Sequence, residues 1–280
     1  MNAIEIRGLE KRYPGFELQL DLELPQGYIL GMIGENGAGK TTVIKALLGM
    51  IRPDAGEISV LGHRVDKDFA PVREDIGVVL TEGCLPGSLT AAQLGKVMAG
   101  IYKNWDAEAY RGYLAKLSLP ADKPCGNYSR GMKMKQAIAV ALSHRPRLLV
   151  LDEPTSGLDP VVRDEVVELF SDFTRDETHS ILISSHIVSD LEKLCDYVAF
   201  LHRGQLLLCE DMDALRQRFG LAQLSKRDFD ALDPEAVLGH RSSPYGVSAI
   251  VERSKAPMGL ALEPVSIEDL FILMVREEEG

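Results

Sequence analysis

Gly34-Glu35-Asn36-Gly37-Ala38-Gly39-Lys40-Thr41-Thr42 has the form G-x-x-x-x-G-K-[ST], the pattern of a loop that cradles nucleotide phosphates. The glycines at 34, 37 and 39 let the backbone turn its N–H groups onto one point, forming an anion nest with no side chains in the way. Asn36, Gly37, Ala38, Gly39 and Thr42 belong to that nest. Lys40 reaches for the β- and γ-phosphates, and the Thr41 hydroxyl is placed to ligate Mg²⁺. Upstream, Tyr28-Ile29-Leu30-Gly31-Met32-Ile33 reads as a buried strand feeding the loop. Downstream, Thr42-Val43-Ile44-Lys45-Ala46-Leu47-Leu48 reads as a helix whose dipole points at phosphate. The plain alternative is a glycine-rich turn before a helix, and the flanking strand and helix weigh against it.

Composition sets outer limits. At 280 residues the chain has room for one large domain, or one with an appendage. A hydrophobic fraction of 45% supports a sizeable core. The net charge of −11 argues against a nucleic-acid partner. No apolar run approaches the ~20 residues a bilayer span requires, and the N-terminus shows no basic-then-apolar signal segment. Cys84, Cys125, Cys195 and Cys209 lie far apart, which suggests free thiols in a reducing cytosol rather than a disulfide or zinc framework. A membrane role would then work through a separate subunit.

Periodicity divides the chain. Ile4-Glu5-Ile6 and Leu18-Gln19-Leu20-Asp21-Leu22-Glu23-Leu24 alternate as half-buried strands do. From about 90 to 144 the spacing becomes helical: Leu94, Val97, Met98 and Ile101, then Tyr110, Tyr113, Leu114 and Leu117, then Ile138, Ala141 and Leu142. Strand–helix alternation returns with Leu148–Leu151, Ser180–Ile183 and Val198–Leu201, implying a parallel sheet with ligands at the carboxyl ends of its strands. Beyond about 219 the pattern weakens into a small α/β appendage, closed by a helix near Ile267–Leu273.

Nucleotide chemistry needs more than a phosphate loop. Leu148-Leu149-Val150-Leu151 makes a buried strand, and Asp152-Glu153 sits where it ends. Asp152 is placed to hold Mg²⁺, and Glu153 to orient and deprotonate an attacking water. An acidic helix cap after a core strand would explain one acid near the phosphate edge but not two.

Taken together, these segments resemble the ATP-binding cassette superfamily, in its bacterial export-type branch of drug, antibiotic and peptide cassettes. Tyr128-Ser129-Arg130-Gly131-Met132 resembles that family's L-S-G-G-Q signature. Ser129 and Gly131 match it, whereas Tyr128, Arg130 and Met132 depart from it in a form familiar in export cassettes. The resemblance implies that Ser129–Met132 faces ATP held by another protomer. Ser129 is equally an ordinary helix cap. Asp159 in Ser156-Gly157-Leu158-Asp159 looks like the loop that crosses between two ATP sites, and is also a good cap before Pro160. His186 in Ser184-Ser185-His186 resembles the switch histidine that bonds the γ-phosphate. Tyr13 resembles the aromatic that stacks on adenine. The family usually carries glutamine after the strand preceding the helical insertion. Here Thr81 stands, followed by Glu82; both are further candidates on the metal side, and the departure bears on γ-phosphate sensing.

The implied fold is a P-loop NTPase (RecA-like) α/β core with a mixed sheet. It carries an N-terminal antiparallel β-subdomain, an inserted α-helical subdomain at about 83–145, and a C-terminal extension at 219–280 after an ATPase domain at 1–218. The implied function is an ATP-binding and ATP-hydrolysing subunit of an exporter, with ATP and Mg²⁺ as cofactors. Its implied partners are a second ATPase protomer, most simply an identical one, and an integral-membrane permease. It would then be cytoplasmic, held at the inner face of the cell membrane by that permease. Leu85, Pro86, Leu89, Met98 and Tyr102 are candidate permease contacts. An uptake-type ATPase and a weakly hydrolysing regulatory or soluble cassette stay open as alternatives.

Overall fold

Alternation builds the first hairpin. Leu18, Leu20, Leu22 and Leu24 are buried while Gln19, Asp21 and Glu23 face outward, so one face of the strand lies on the core. The structure is a computed structural model that describes residues 1–66, 69–80 and 85–278; Thr81, Glu82 and Cys84 lie outside the described residues. Its elements begin with β1 (Asn2–Tyr13), β2 (Phe16–Pro25), β3 (Ile29–Gly34), α1 (Lys40–Leu47), β4 (Ala55–Val60), β5 (His63–Arg64) and β6 (Ile76–Val79). The helices α2 (Ala91–Ile101), α3 (Ala107–Lys116) and α4 (Arg130–Ser143) follow. Then come β7 (Leu148–Asp152), α5 (Pro160–Phe173), β8 (Ser180–Ser185), α6 (Val188–Leu194), β9 (Tyr197–His202), β10 (Gln205–Asp211) and α7 (Met212–Arg218). The chain closes with β11 (Phe219–Leu224), α8 (Lys226–Asp230), β12 (Val237–Ser243), β13 (Gly246–Glu252) and α9 (Ile267–Glu278).

Among the described residues the large sheet has the order β5-β4-β1-β2-β10-β9-β3-β8-β7-β6. Its β9-β3-β8-β7-β6 half is parallel, and its β5-β4-β1-β2 half is antiparallel. The two halves meet where β10, antiparallel to β9, touches β2 through the single pair Gln205–Gln19. β3, β7 and β8 are buried at every position. Parallel strands covered on both faces need continuous apolar runs, which Leu148–Leu151 supplies. β8 lies between β3 and β7, so the carboxyl ends of these three strands, and the segments that leave them, share one edge.

Helices α2, α3 and α4 are joined through a buried tyrosine. Tyr110 donates its hydroxyl hydrogen to the Ala91 carbonyl at 2.9 Å and accepts from Gln136 Nε2 at 2.5 Å. Burial pushes the Tyr110 phenol up to about 12. The helical spacing of this segment overstates its buried face: Val97 and Ile101 are exposed. Leu85, Leu89 and Met98 instead pack against the main core, and the Tyr102 ring stacks on His144 with centroids 4.1 Å apart.

The last segment is a three-stranded antiparallel sheet, β11-β13-β12. Ala222, Ala249 and Val251 form a small core on one face with Ala236, Phe229 and Leu232. Ile250 joins Val265, Ile267, Leu270 and Leu273 in the main core, and α9 packs on β12 and α6. Cys125, Cys195 and Cys209 are free thiols, and burial pushes the Cys209 thiol up to about 11.

Gly31 lets α6 approach β3 closely. A Cβ there would fall 2.8 Å from Cys195 Sγ and 3.3 Å from Leu191 Cδ1. Gly31→Val is therefore an overpacking change, expected to cost about 1–3 kcal/mol. Chemical denaturation should show the lower midpoint with an unchanged m-value.

Candidate functional site

The loop between β3 and α1 is shaped by a backbone that only glycine adopts easily. Gly39 has φ 113°, and a Cβ on it would meet Leu18 Cδ1 at 2.9 Å. Ala38 N–H donates to the Glu35 carbonyl at 3.1 Å, and Val43 N–H to the Gly39 carbonyl at 3.0 Å. The helix therefore begins at Lys40, two residues earlier than the sequence pattern suggests, so Lys40 and Thr41 stand on its first turn with unpaired N–H groups of the terminus nearby. No acidic residue occupies that turn; the carboxylates that approach it come from the end of β7.

Lys40 is 6% exposed. Its ammonium donates to the Gly34 carbonyl at 2.6 Å and the Glu35 carbonyl at 3.2 Å, and lies 3.6 Å from Glu153 Oε1. From the end of β7, Asp152 Oδ2 accepts from the Thr41 hydroxyl at 3.0 Å, while Asp152 Oδ1 accepts from the Ser184 hydroxyl at 2.6 Å. Glu153 Oε2 accepts from His186 Nδ1–H at 2.6 Å. The phosphate loop, both acids and the histidine thus form one connected set, drawn from the edges of β3, β7 and β8.

Glu153 has φ 53°, a left-handed backbone costing a non-glycine residue of order 1 kcal/mol or more. The neighbouring strand holds it there: Glu153 N–H lies 3.0 Å from the Ser184 carbonyl and 3.2 Å from the Ser184 hydroxyl. Ser184 therefore braces both acids, Asp152 by its side chain and Glu153 by its backbone. Ser184 has no sequence signature for this role, because a serine at a strand end carries no pattern of its own.

A cavity of about 590 Å³ opens over this set, lined by Asn36, Gly37, Ala38, Gly39, Lys40, Thr41, Thr42, Asp152 and Glu153 together with Phe16, Lys45, Met50 and Leu80. Phe16, Lys45, Met50 and Leu80 were not legible as site residues, since each reaches the cavity through the fold. Tyr13 does not line the cavity. It is 43% exposed and stands beside Phe16, with ring centroids 6.4 Å apart and Lys11 Nζ 5.6 Å from the Tyr13 centroid.

Ser129, Arg130, Gly131, Met132 and Asp159 are not among the cavity-lining residues either. Ser129 caps α4 by accepting from Met132 N–H at 3.2 Å, and Asp159 caps α5 by accepting from Val162 N–H at 3.1 Å. Ser129, Arg130 and Asp159 are exposed. The Arg130 guanidinium lies against Gly157, where a Cβ would come within 3.1 Å of it, so these two segments adjoin within the chain. Among the described residues, no group of three or more His, Cys, Asp or Glu could hold a metal ion by itself.

A family model described as ABC transporter matches residues 18–156, and one described as AAA domain, putative AbiEii toxin, Type IV TA system, matches residues 124–189. The chain is 32% identical over 279 residues to the bacitracin transport ATP-binding protein BcrA of Bacillus licheniformis, covering 91% of each chain. It is 38% identical over 212 residues to the Nod factor export ATP-binding protein I of Burkholderia orbicola (strain AU 1054), covering 72% of this chain and 68% of that one. Among solved structures, the dimeric post-hydrolysis state of the cassette MJ0796 bound to ADP and Pi superposes with a TM-score of 0.67. It covers 75% of this chain and 98% of that one at 19% identity, a likeness of fold.

Proposed function

The chain belongs to the ABC transporter family as an ATP-binding, ATP-hydrolysing subunit, and on that premise we propose that it powers export through a separate membrane permease as one half of a homodimer. Such ATPases act with a permease and dimerise. The relatives named for bacitracin transport and Nod factor export support the direction. No helix among the described residues is long and apolar enough to cross a membrane, which fits a permease on another chain and a place on the cytoplasmic face beside it. Exposed Val97 and Ile101 on α2 offer that permease an apolar contact.

The observation that carries this reading is the connected set in which Lys40, Thr41, Asp152 and Glu153 line one cavity and His186, outside its lining, joins Glu153 at 2.6 Å. The loop N–H groups and Lys40 bind the triphosphate, with Lys40 exchanging its carbonyl partners for phosphate oxygens. Glu153 accepts a proton from the attacking water. His186 orients Glu153 and meets the γ-phosphate. Phe16, with Tyr13 at its side, provides the apolar wall for the base. Ser129–Met132 and Asp159, remote from this cavity in one chain, serve the ATP of the partner protomer.

The donor set suits Mg²⁺. Thr41 Oγ1 and Asp152 Oδ2 are hard oxygens 3.0 Å apart, and magnesium is commonly held by one or two side chains plus substrate phosphates rather than by a cage of protein ligands. When bound, the ion would neutralise phosphate charge beside two carboxylates. Two measurements test the reading together. Turnover by the purified chain should be abolished by a chelator and restored by Mg²⁺, and specific activity should rise with chain concentration. Turnover indifferent to chelation would remove the metal, and specific activity independent of concentration would remove the shared site.

A further inference from the structure

The C-terminal segment is tied to the site through one short helix. α6 starts two residues after His186, and Ser185 Oγ accepts from Ile187 N–H at 2.9 Å at that junction. On one side α6 lies on β3, with Leu191 and Cys195 against Gly31, the strand that feeds the phosphate loop. On its other side lies α9. Glu192 Oε1 accepts from Ile267 N–H, the first N–H of α9, at 2.6 Å. Ser266 and Asp269 satisfy further groups of the same terminus, with Asp269 N–H donating to Ser266 Oγ at 3.0 Å. Phe271 of α9 meets Phe200 of β9 edge-on, with centroids 5.4 Å apart and planes at 71°. Val188, Leu191, Leu194, Ile267, Leu270 and Leu273 share one buried core.

A seven-residue helix is too short to hold its own place, because isolated helices of this length are unstable and take their order from packing. Its orientation is set by what clamps it. β3 clamps it from one side whatever follows in the chain. α5 holds a second side, through Arg163–Asp190 at 3.6 Å and Lys193–Asp164 at 3.7 Å, and α9, from beyond residue 218, packs on a further one. The Glu192 carboxylate also meets a helix N-terminus, where negative charge is favoured.

The geometry points to Glu192 as a positioning residue: it docks the C-terminal α9 on α6 and thereby fixes where His186 stands against Glu153. This rests on the role given above to His186. The 219–280 segment is then a brace of the switch rather than a separate module. Loosening the brace leaves the phosphate loop intact, so ATP binds as before. His186 then spends less time at the 2.6 Å separation from Glu153, and the chemical step slows.

The test uses the full chain and three variants: Glu192→Ala, Glu192→Gln, which keeps a neutral acceptor for Ile267 N–H, and Phe271→Ala, which loosens α9 without touching α6. Glu192→Ala and Phe271→Ala are expected to lower kcat about three- to tenfold while the ATP dissociation constant stays within about twofold. Glu192→Gln should recover most of kcat. Hydrogen exchange of the unliganded chain should quicken at 186–194 and α9 in the two alanine variants, and not at the phosphate loop. Wild-type kcat in both alanine variants would overturn the inference, as would loss of ATP affinity with faster exchange throughout. A wild type that hydrolyses no ATP would instead defeat the reading of the site; the exchange measurement, which needs no turnover, would still decide whether α9 holds α6.

Discussion

Lys40→Ala is expected to weaken ATP binding by about 10²–10³-fold, read by equilibrium titration with nucleotide. The magnitude follows from the site. Lys40 is 6% exposed and its charge is held by two loop carbonyls and the nearby Glu153. Hydrogen bonds to charged groups are worth roughly 1.5–3 kcal/mol each, and two lost phosphate contacts amount to about 3–6 kcal/mol, the lower part of which is two to three decades in affinity. Alanine also leaves Glu153 without its nearest cation, so the anionic edge repels the triphosphate further. The loop itself should persist, because its turn rests on backbone bonds such as Ala38 N–H to Glu35 O. Circular dichroism and a thermal midpoint close to wild type would establish that. Unchanged ATP affinity would remove the phosphate loop from the proposed mechanism.

The difference between what the chain's pattern revealed and what it concealed follows from range. The glycine spacing of 34–39, the apolar run before Asp152 and the strand before His186 are local signals, each set by one turn or one strand. They place groups at strand ends, and the strand order β3-β8-β7 then brings those ends together. Phe16, Met50 and Leu80 carry no such local mark. Phe16 faces the cavity because β2 starts against the phosphate loop, where a Cβ on Gly39 would come 3.1 Å from Phe16 Cζ. The helical spacing of 94–101 was right in period but too wide: Val97 and Ile101 fall on the exposed flank of α2. Nor could the pattern disclose that α9 seats against α6, since Glu192 and Ile267 are far apart in sequence and meet through a single backbone N–H. A residue that braces another through the fold is read from coordinates, whereas one that makes a turn is read from sequence.

Glu153→Gln is expected to separate binding from turnover. Glutamine is isosteric with glutamate, and its Oε1 still accepts from His186 Nδ1–H, so the bond seen at 2.6 Å keeps an acceptor. The backbone constraint is also unchanged, because the left-handed conformation at 153 is held from outside, by Ser184 carbonyl and hydroxyl oxygens. A strained residue retained beside a phosphate loop suggests that its side-chain aim matters more than its local energy. What glutamine cannot do is take a proton from water. Loss of a general base costs typically 10²–10⁴-fold in rate, so kcat should fall by about that factor. Affinity should be kept or improved, since one negative charge next to the triphosphate is gone while Lys40 stays. If the proposed shared site holds, blocked hydrolysis leaves ATP between the phosphate loop of one protomer and the Ser129–Met132 segment of the other, and the closed pair should accumulate. Sedimentation in saturating Mg²⁺ and ATP should then report twice the monomer mass for Glu153→Gln, and the monomer once nucleotide is removed. A monomer under saturating ATP would contradict the shared site, even with kcat reduced as expected. Retained turnover would instead move the base away from Glu153 and leave His186, 2.6 Å from it, as the group to substitute next.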